Sequence, residues 1–263
     1  ANRGSIFDVK GNLLAQQVNS YTLIAYLEES RTTNENEPQH VVDKQMTAEK
    51  LSPLINTSVE DILKRLNKDA YQVEFGKNAK NLTEIQKKAI EDLDLPGIDF
   101  ISSSQRYYKM GQFAPYIIGY AKPDENGKIN GEMGVEQYYN DYLEGTDGKK
   151  IYQKDAYGYQ IPNTPSLTEE AISGANIYLT IDNNVQIIVE NAISDLVKSK
   201  ELAWATLSIM DAKTGAIVAS ASSPTFNLNN LNTLESYLNP LVSYQYEPGS
   251  TMKMYSFSCI DNW

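Results

Sequence analysis

The stretch Tyr246-Glu247-Pro248-Gly249-Ser250-Thr251-Met252-Lys253 holds the residue types that can do covalent chemistry: a serine directly after a Pro-Gly turn, with a lysine three residues on. If Ser250 opens a helix, the i,i+3 spacing brings hydroxyl and amine onto one face. Backbone N–H groups at that end would favour an anionic tetrahedral intermediate, and a lysine kept partly neutral by its surroundings could take the serine proton. Those roles define a Ser-Lys acyl-transfer device, with Ser250 as nucleophile and Lys253 as base. In a chain with this many serines and lysines the spacing also arises by chance, so the motif needs its context.

The elements that must carry this turn are legible on its N-terminal side. Ile177–Ile181 reads as a strand, and Val185, Ile188, Val189, Ala192, Ile193, Leu196 and Val197 mark one face of a long helix. Residues 205–210 and 216–222 read as a hairpin whose turn, Asp211-Ala212-Lys213-Thr214-Gly215, offers Gly215 for a positive φ. Before them the chain is rich in Tyr, Asn and Glu, with short strands at 21–27 and 71–75 and what reads as a thin core. Capping-box spacings at Thr57–Glu60 and Thr83–Gln86 open two short helices, with apolar stripes Ile62, Leu63, Leu66 and Ile85, Ala89, Ile90, Leu93. Pro96-Gly97 ends the second. The polar segment 163–170 reads as a linker, giving domains 1–165 and 166–263 and an α+β class.

Composition removes several alternatives. A formal charge of −11 with no dense basic patch is wrong for nucleic acid. One cysteine, Cys259, and one histidine, His40, supply neither an intramolecular disulfide nor a zinc cluster, so neither a disulfide scaffold nor a zinc enzyme fits, and the reading as a whole implies no metal or organic cofactor. No apolar run approaches the roughly 20 residues that cross a bilayer. The abrupt start at Ala1-Asn2-Arg3-Gly4 fits an ectodomain whose membrane anchor has been removed.

Tyr-Glu-Pro-Gly-Ser-Thr-Met-Lys resembles the first active-site motif of class B penicillin-binding proteins. Four further segments resemble that family in order: Arg3–Ala15, and Arg106–Gly111 with Ile117–Tyr120, Gly131–Glu136 and Leu143–Gly145, as pedestal signatures; Gly174–Asp182 with Gln186, as the entry to the transpeptidase domain; and Asp211–Asn227, as its first hairpin. Val9 stands where Arg is usual and Lys109 where Pro is commoner. Gln39–Lys44 and Leu95–Ile98 look most like division-type members of Gram-positive lineages. In the pedestal, Arg3, Asp8, Arg106 and Glu136 read as ion pairs or turn formers, and the Tyr-rich segments 138–142 and 152–159 as packing before partner surface.

The resemblance implies an elongated pedestal followed by the first part of a β-lactamase-like α/β transpeptidase domain, incomplete in this chain. It implies a D,D-transpeptidase that cross-links stem peptides ending in D-Ala-D-Ala, is acylated by β-lactams on Ser250, and sits on the extracellular face behind a single-pass anchor. Division and glycan-polymerising membrane proteins are the implied partners. A non-catalytic partner-binding fragment, a β-lactam receptor and a serine β-lactamase are the alternatives. Lys213-Thr214-Gly215 spells the family's third motif but precedes the nucleophile, and is read as a turn. No Ser-x-Asn follows Ser250, so this stretch alone is expected to be inactive. Cys259–Trp263 resembles a segment found further along in relatives, and a gap between Ser258 and Cys259 is expected.

Overall fold

The computed structural model describes residues 1–34, 37–151, 153 and 167–260. The chain forms two compact units of mixed α and β structure. The first comprises Ala1–Phe7, Leu13–Lys109 and Gly119–Tyr178, and the second Asp8–Asn12, Met110–Ile118 and Leu179–Trp263. Of the expected linker, residues 163–166 lie outside the described residues, while Leu167–Glu169 pair antiparallel with Lys149–Ile151 inside the first unit.

A 14-residue strand, Leu13–Tyr26, is the spine of the first unit. It pairs antiparallel with Ile6–Phe7, with Gln72–Glu74 and, along most of its length, with Ile98–Tyr108. Ile177–Tyr178 adds a parallel strand against Ile6–Phe7, shorter than the five residues expected. Leu23 and Ala25 of the spine pack with Leu51 and Ile55 of the helix Lys44–Ile55, Ile62 and Leu66 of the helix Val59–Leu66, Phe75, Leu82 and Ile90. The core is therefore fuller than the sequence pattern implied. The missing contribution is the helix Lys44–Ile55, whose Asp43 cap accepts from the Met46 amide but whose weak periodicity hides it.

Both expected caps fall close to their places. Thr83 and Gln86 make the reciprocal box: the Gln86 amide donates to Thr83 Oγ1 and the Thr83 amide to Gln86 Oε1. In the other helix the cap is Ser58, one residue later than Thr57, because the Asp61 amide donates to Ser58 Oγ while the Thr57 hydroxyl turns back to the Ile55 carbonyl.

Glu136 sits at the centre of the first unit's polar interior and is wholly buried. Arg3 Nε donates to its Oε2 at 2.8 Å and Arg106 Nε to its Oε1 at 2.6 Å. The rest of the Arg3 fork donates to the carbonyls of Ile129 and Glu136 and to Asn140 Oδ1, and Arg106 Nη1 donates to the Gly4 carbonyl. Burial, and then the Glu136 charge, raise the Tyr108 hydroxyl's pKa well above its ordinary value. That hydroxyl accepts from the Ala121 amide and donates toward Glu136. The ion pairs expected of Arg3, Arg106 and Glu136 are thus present. The tyrosines beside them are not packed inward: Tyr138 and Tyr142 are exposed, because Glu136 and Leu143 take the inward positions of these two short helices. Residues 152 and 154–159 of the second Tyr-rich segment lie outside the described residues.

In the second unit the helix Asn183–Lys200 packs Val189 and Ile193 on Ala219 and Ala221 of the hairpin strand Ile217–Ser223. Ile188 and Leu196, expected on the buried stripe, are exposed. Their turns are displaced by the fully buried Gln186, whose Nε2 donates to the Ser220 carbonyl while its Oε1 accepts the Ser220 amide. Replacing Glu136 by Gln leaves two buried guanidiniums without their carboxylate and is expected to destabilise the first unit by about 3–5 kcal/mol in urea unfolding. The surface change Glu132→Gln should leave the midpoint nearly unmoved.

Candidate active site

The hairpin of the second unit runs from Ala205–Met210 to Ile217–Ser223. Its turn is closed by Asp211, whose Oδ1 accepts the amides of Lys213 at 2.8 Å and Thr214 at 2.9 Å, while the Gly215 amide donates to the Asp211 carbonyl. Gly215 has φ +74°, a conformation side chains rarely adopt. Lys213-Thr214-Gly215 is fully used in making this turn. The Thr214 and Lys213 amides hold the Asp211 carboxyl below its ordinary pKa.

Two other carboxylates fix the elements beneath the hairpin. Asp182 caps the helix Asn183–Lys200 through the Asn184 amide and pairs with Lys10 at 2.7 Å; the Lys10 bond is the main cause of its lowered pKa. Burial works against the charge of Asp8, yet the side chain and amide of Asn12 with the amides of Lys10 and Asn183 bring its pKa below the ordinary value. Asp8 is thus a turn former, as its sequence context implied. Glu190 on the same helix accepts from Gln186 Nε2 and the Ala114 amide, but burial prevails and raises its pKa.

After the hairpin, the Leu228 amide donates to the Gly111 carbonyl and Phe226 packs edge-on against Tyr116. Asn239 caps a short helix, Pro240–Ser243, through the Leu241 amide. The chain then reaches the candidate nucleophile. Gly249, at φ +55°, reverses the chain, and Gly249–Met252 form a 3-10 turn that runs directly into the helix Lys253–Ile260. The Thr251 hydroxyl donates to the Pro248 carbonyl at 2.6 Å, and the Lys253 amide returns to the carbonyls of Ser250 and Thr251.

Ser250 therefore lies inside a 3-10 turn instead of opening the α-helix. The shared face survives, because three residues per turn makes positions i and i+3 eclipse. Ser250 and Lys253 are both exposed, and among the described residues no hydrogen bond joins their side chains. Met252, Met254, Tyr255 and Phe257 are exposed as well. The helix runs through Ser258 and Cys259 to Ile260, and Asp261–Trp263 lie outside the described residues. A residue that the sequence pattern does not single out is Trp204, half-buried at the foot of the hairpin, whose ring meets Tyr244 and Tyr246 edge-on. No local spacing signals such a contact.

Residues 1–179 match the Penicillin-binding Protein dimerisation domain and residues 205–259 the Penicillin binding protein transpeptidase domain. The chain belongs to the penicillin-binding proteins and holds the dimerisation domain with the start of the transpeptidase domain. It is similar to Peptidoglycan D,D-transpeptidase FtsI of Buchnera aphidicola, 30% identical over 253 residues, which are 95% of this chain and 42% of that protein. It is 27% identical to Stage V sporulation protein D of Bacillus subtilis over 96% of this chain and 37% of that protein. Penicillin Binding Protein 2X from Streptococcus thermophilus has a similar structure, with a TM-score of 0.69 and 33% identity over 96% of this chain and 39% of that one. The chain thus spans about two fifths of the length of these relatives.

The lowered pKa of Asp211 means that its charge stabilises the folded hairpin above the ordinary carboxylate value, and that this contribution is lost as pH falls through the lower folded value. The melting temperature of the second unit should fall between about pH 5 and about pH 2. Asp211→Asn should lower it near neutrality and flatten that fall, as followed by circular dichroism.

Proposed function

We propose that the protein containing this chain is a serine-type peptidoglycan D,D-transpeptidase with Ser250 as nucleophile and Lys253 as general base. The reading is supported by the three-residue spacing of Ser250 and Lys253 across a 3-10 turn that continues into a helix, within a chain of this family. Lys253 Nζ takes the proton as Ser250 Oγ attacks the carbonyl of the penultimate D-Ala of a stem peptide. The tetrahedral intermediate collapses with protonation and release of the terminal D-Ala, leaving an ester on Ser250. The amine of a neighbouring stem peptide then displaces the serine, forming the cross-link and restoring the hydroxyl. β-Lactams, which present a strained amide in place of the D-Ala bond, acylate the same oxygen.

The site operates on the outer face of the cell membrane, in septal wall synthesis, beside division and glycan-polymerising membrane proteins. Among the described residues no helix is long and apolar enough to cross a membrane. A second reading concerns the first unit as a docking module. It is favoured by the ring cluster of Tyr138, Tyr139 and Tyr142, which meet edge to face at 4.8 and 6.1 Å with Tyr138 and Tyr142 open to solvent.

Intact mass of the full-length protein after a fluorescent penicillin should show one stable adduct, absent in Ser250→Ala. Lys253→Met should slow adduct formation by about 100-fold or more, the range of a lost general base. An adduct that persists in Ser250→Ala would overturn the assignment.

A further inference from the structure

Among the described residues, little holds the stretch that presents Ser250. Residues 245–258 are exposed, and the hydrogen bonds of the 3-10 turn, such as Thr251 to Pro248, lie within the turn itself. Such bonds fix the shape of the turn without fixing its position on the unit. The ring contacts that tie this stretch to the sheet are made by Trp204. Its ring meets Tyr244 at a centroid distance of 5.4 Å and an interplanar angle of 85°, and Tyr246 at 6.4 Å and 65°.

Both geometries present the positive edge of one ring to the negative face of another, the favoured arrangement for aromatic pairs. Trp204 is half-buried and lies immediately before the strand Ala205–Met210, whose pairing with Ile217–Ser223 fixes its backbone. Tyr244 ends the helix Pro240–Ser243, and Tyr246 stands four residues before Ser250. A rigid strand thus grips both sides of Gln245 through one indole.

We propose that Trp204 is a positioning residue for Ser250, acting through Tyr246 and Tyr244 to hold the nucleophile's turn at a fixed place on the hairpin. The proposal rests on Ser250 being the acylated serine. Attack on a carbonyl tolerates little displacement, and about 1 Å of misplacement can cost on the order of 100-fold in rate. Reversible binding of the ligand depends on the surrounding surface and is less sensitive to where this one oxygen lies.

The test is the kinetics of acylation of the full-length protein by a fluorescent penicillin, resolved into a reversible dissociation constant and an acylation rate constant. Trp204→Ala should lower the rate constant by about tenfold or more and leave the dissociation constant within a few-fold. Trp204→Phe, which keeps an edge-to-face partner, should recover most of the rate. Tyr246→Ala, at a position exposed in this chain, should give the same loss. The double variant should be no slower than the slower single one, because both act along one path.

Wild-type rates in Trp204→Ala, losses that multiply in the double variant, or an unchanged rate in Tyr246→Ala would overturn the proposal. Should Trp204→Ala fail to fold, Tyr246→Ala with Trp204→Phe decides it alone. Ser250→Ala is measured alongside: an adduct surviving there defeats the nucleophile assignment itself, whereas its loss with an unaffected Trp204→Ala defeats only the positioning role.

Discussion

The first unit is organised around one buried carboxylate. Glu136 has each of its two oxygens taken by a different guanidinium, and the three residues come from the chain start, the strand Ile98–Tyr108 and a five-residue helix. A guanidinium is a rigid planar fork, so fixing one nitrogen on Glu136 aims the others: the Arg3 fork reaches the carbonyls of Ile129 and Glu136, and Arg106 Nη1 that of Gly4. Such a group need not add net stability over an apolar core of equal volume. What it does impose is register, since any slip leaves a charge in a medium that cannot solvate it.

The second unit solves the same problem with a neutral amide at its centre. The Gln186 amide copies the donor and acceptor of a neighbouring strand and closes on both backbone groups of Ser220, so the helix is set against the hairpin at one rotation. Asp182 fixes where that helix starts, and its pairing with Lys10 recruits a segment from near the chain start. Each anchor is a polar side chain with at least one partner far away in sequence. That is why the unit contains three separate stretches of chain.

The proposed nucleophile and base stand apart from these anchors. Their geometry is local: the reversal at Gly249, the 3-10 turn and the helix after it put Ser250 and Lys253 on one side without help from outside the stretch. Their environment is not local. Electrostatic stabilisation of a developing oxyanion is strong only where water is excluded, and the side chains of Met252, Met254, Tyr255 and Phe257 are of the kind that exclude it once covered. The chain holds the start of the transpeptidase domain.

Features governed by neighbours along the chain are legible in the amino-acid sequence by itself. The Thr83–Gln86 box, the hairpin with Gly215 at positive φ, the long helix after Asp182 and the shared face of Ser250 and Lys253 all follow from backbone sterics and hydrogen bonds reaching no more than four residues. The order of five motifs is enough to indicate the family. Tertiary structure alone decides the rest. Ile188 and Leu196 are exposed because Gln186 faces the sheet, Tyr138 and Tyr142 because Glu136 and Leu143 do not leave the interior, and Trp204 reaches Tyr246 across 42 positions. Periodicity records that a helix has an apolar face, but which turn of it is buried depends on hydrogen-bond partners that approach only when distant segments meet.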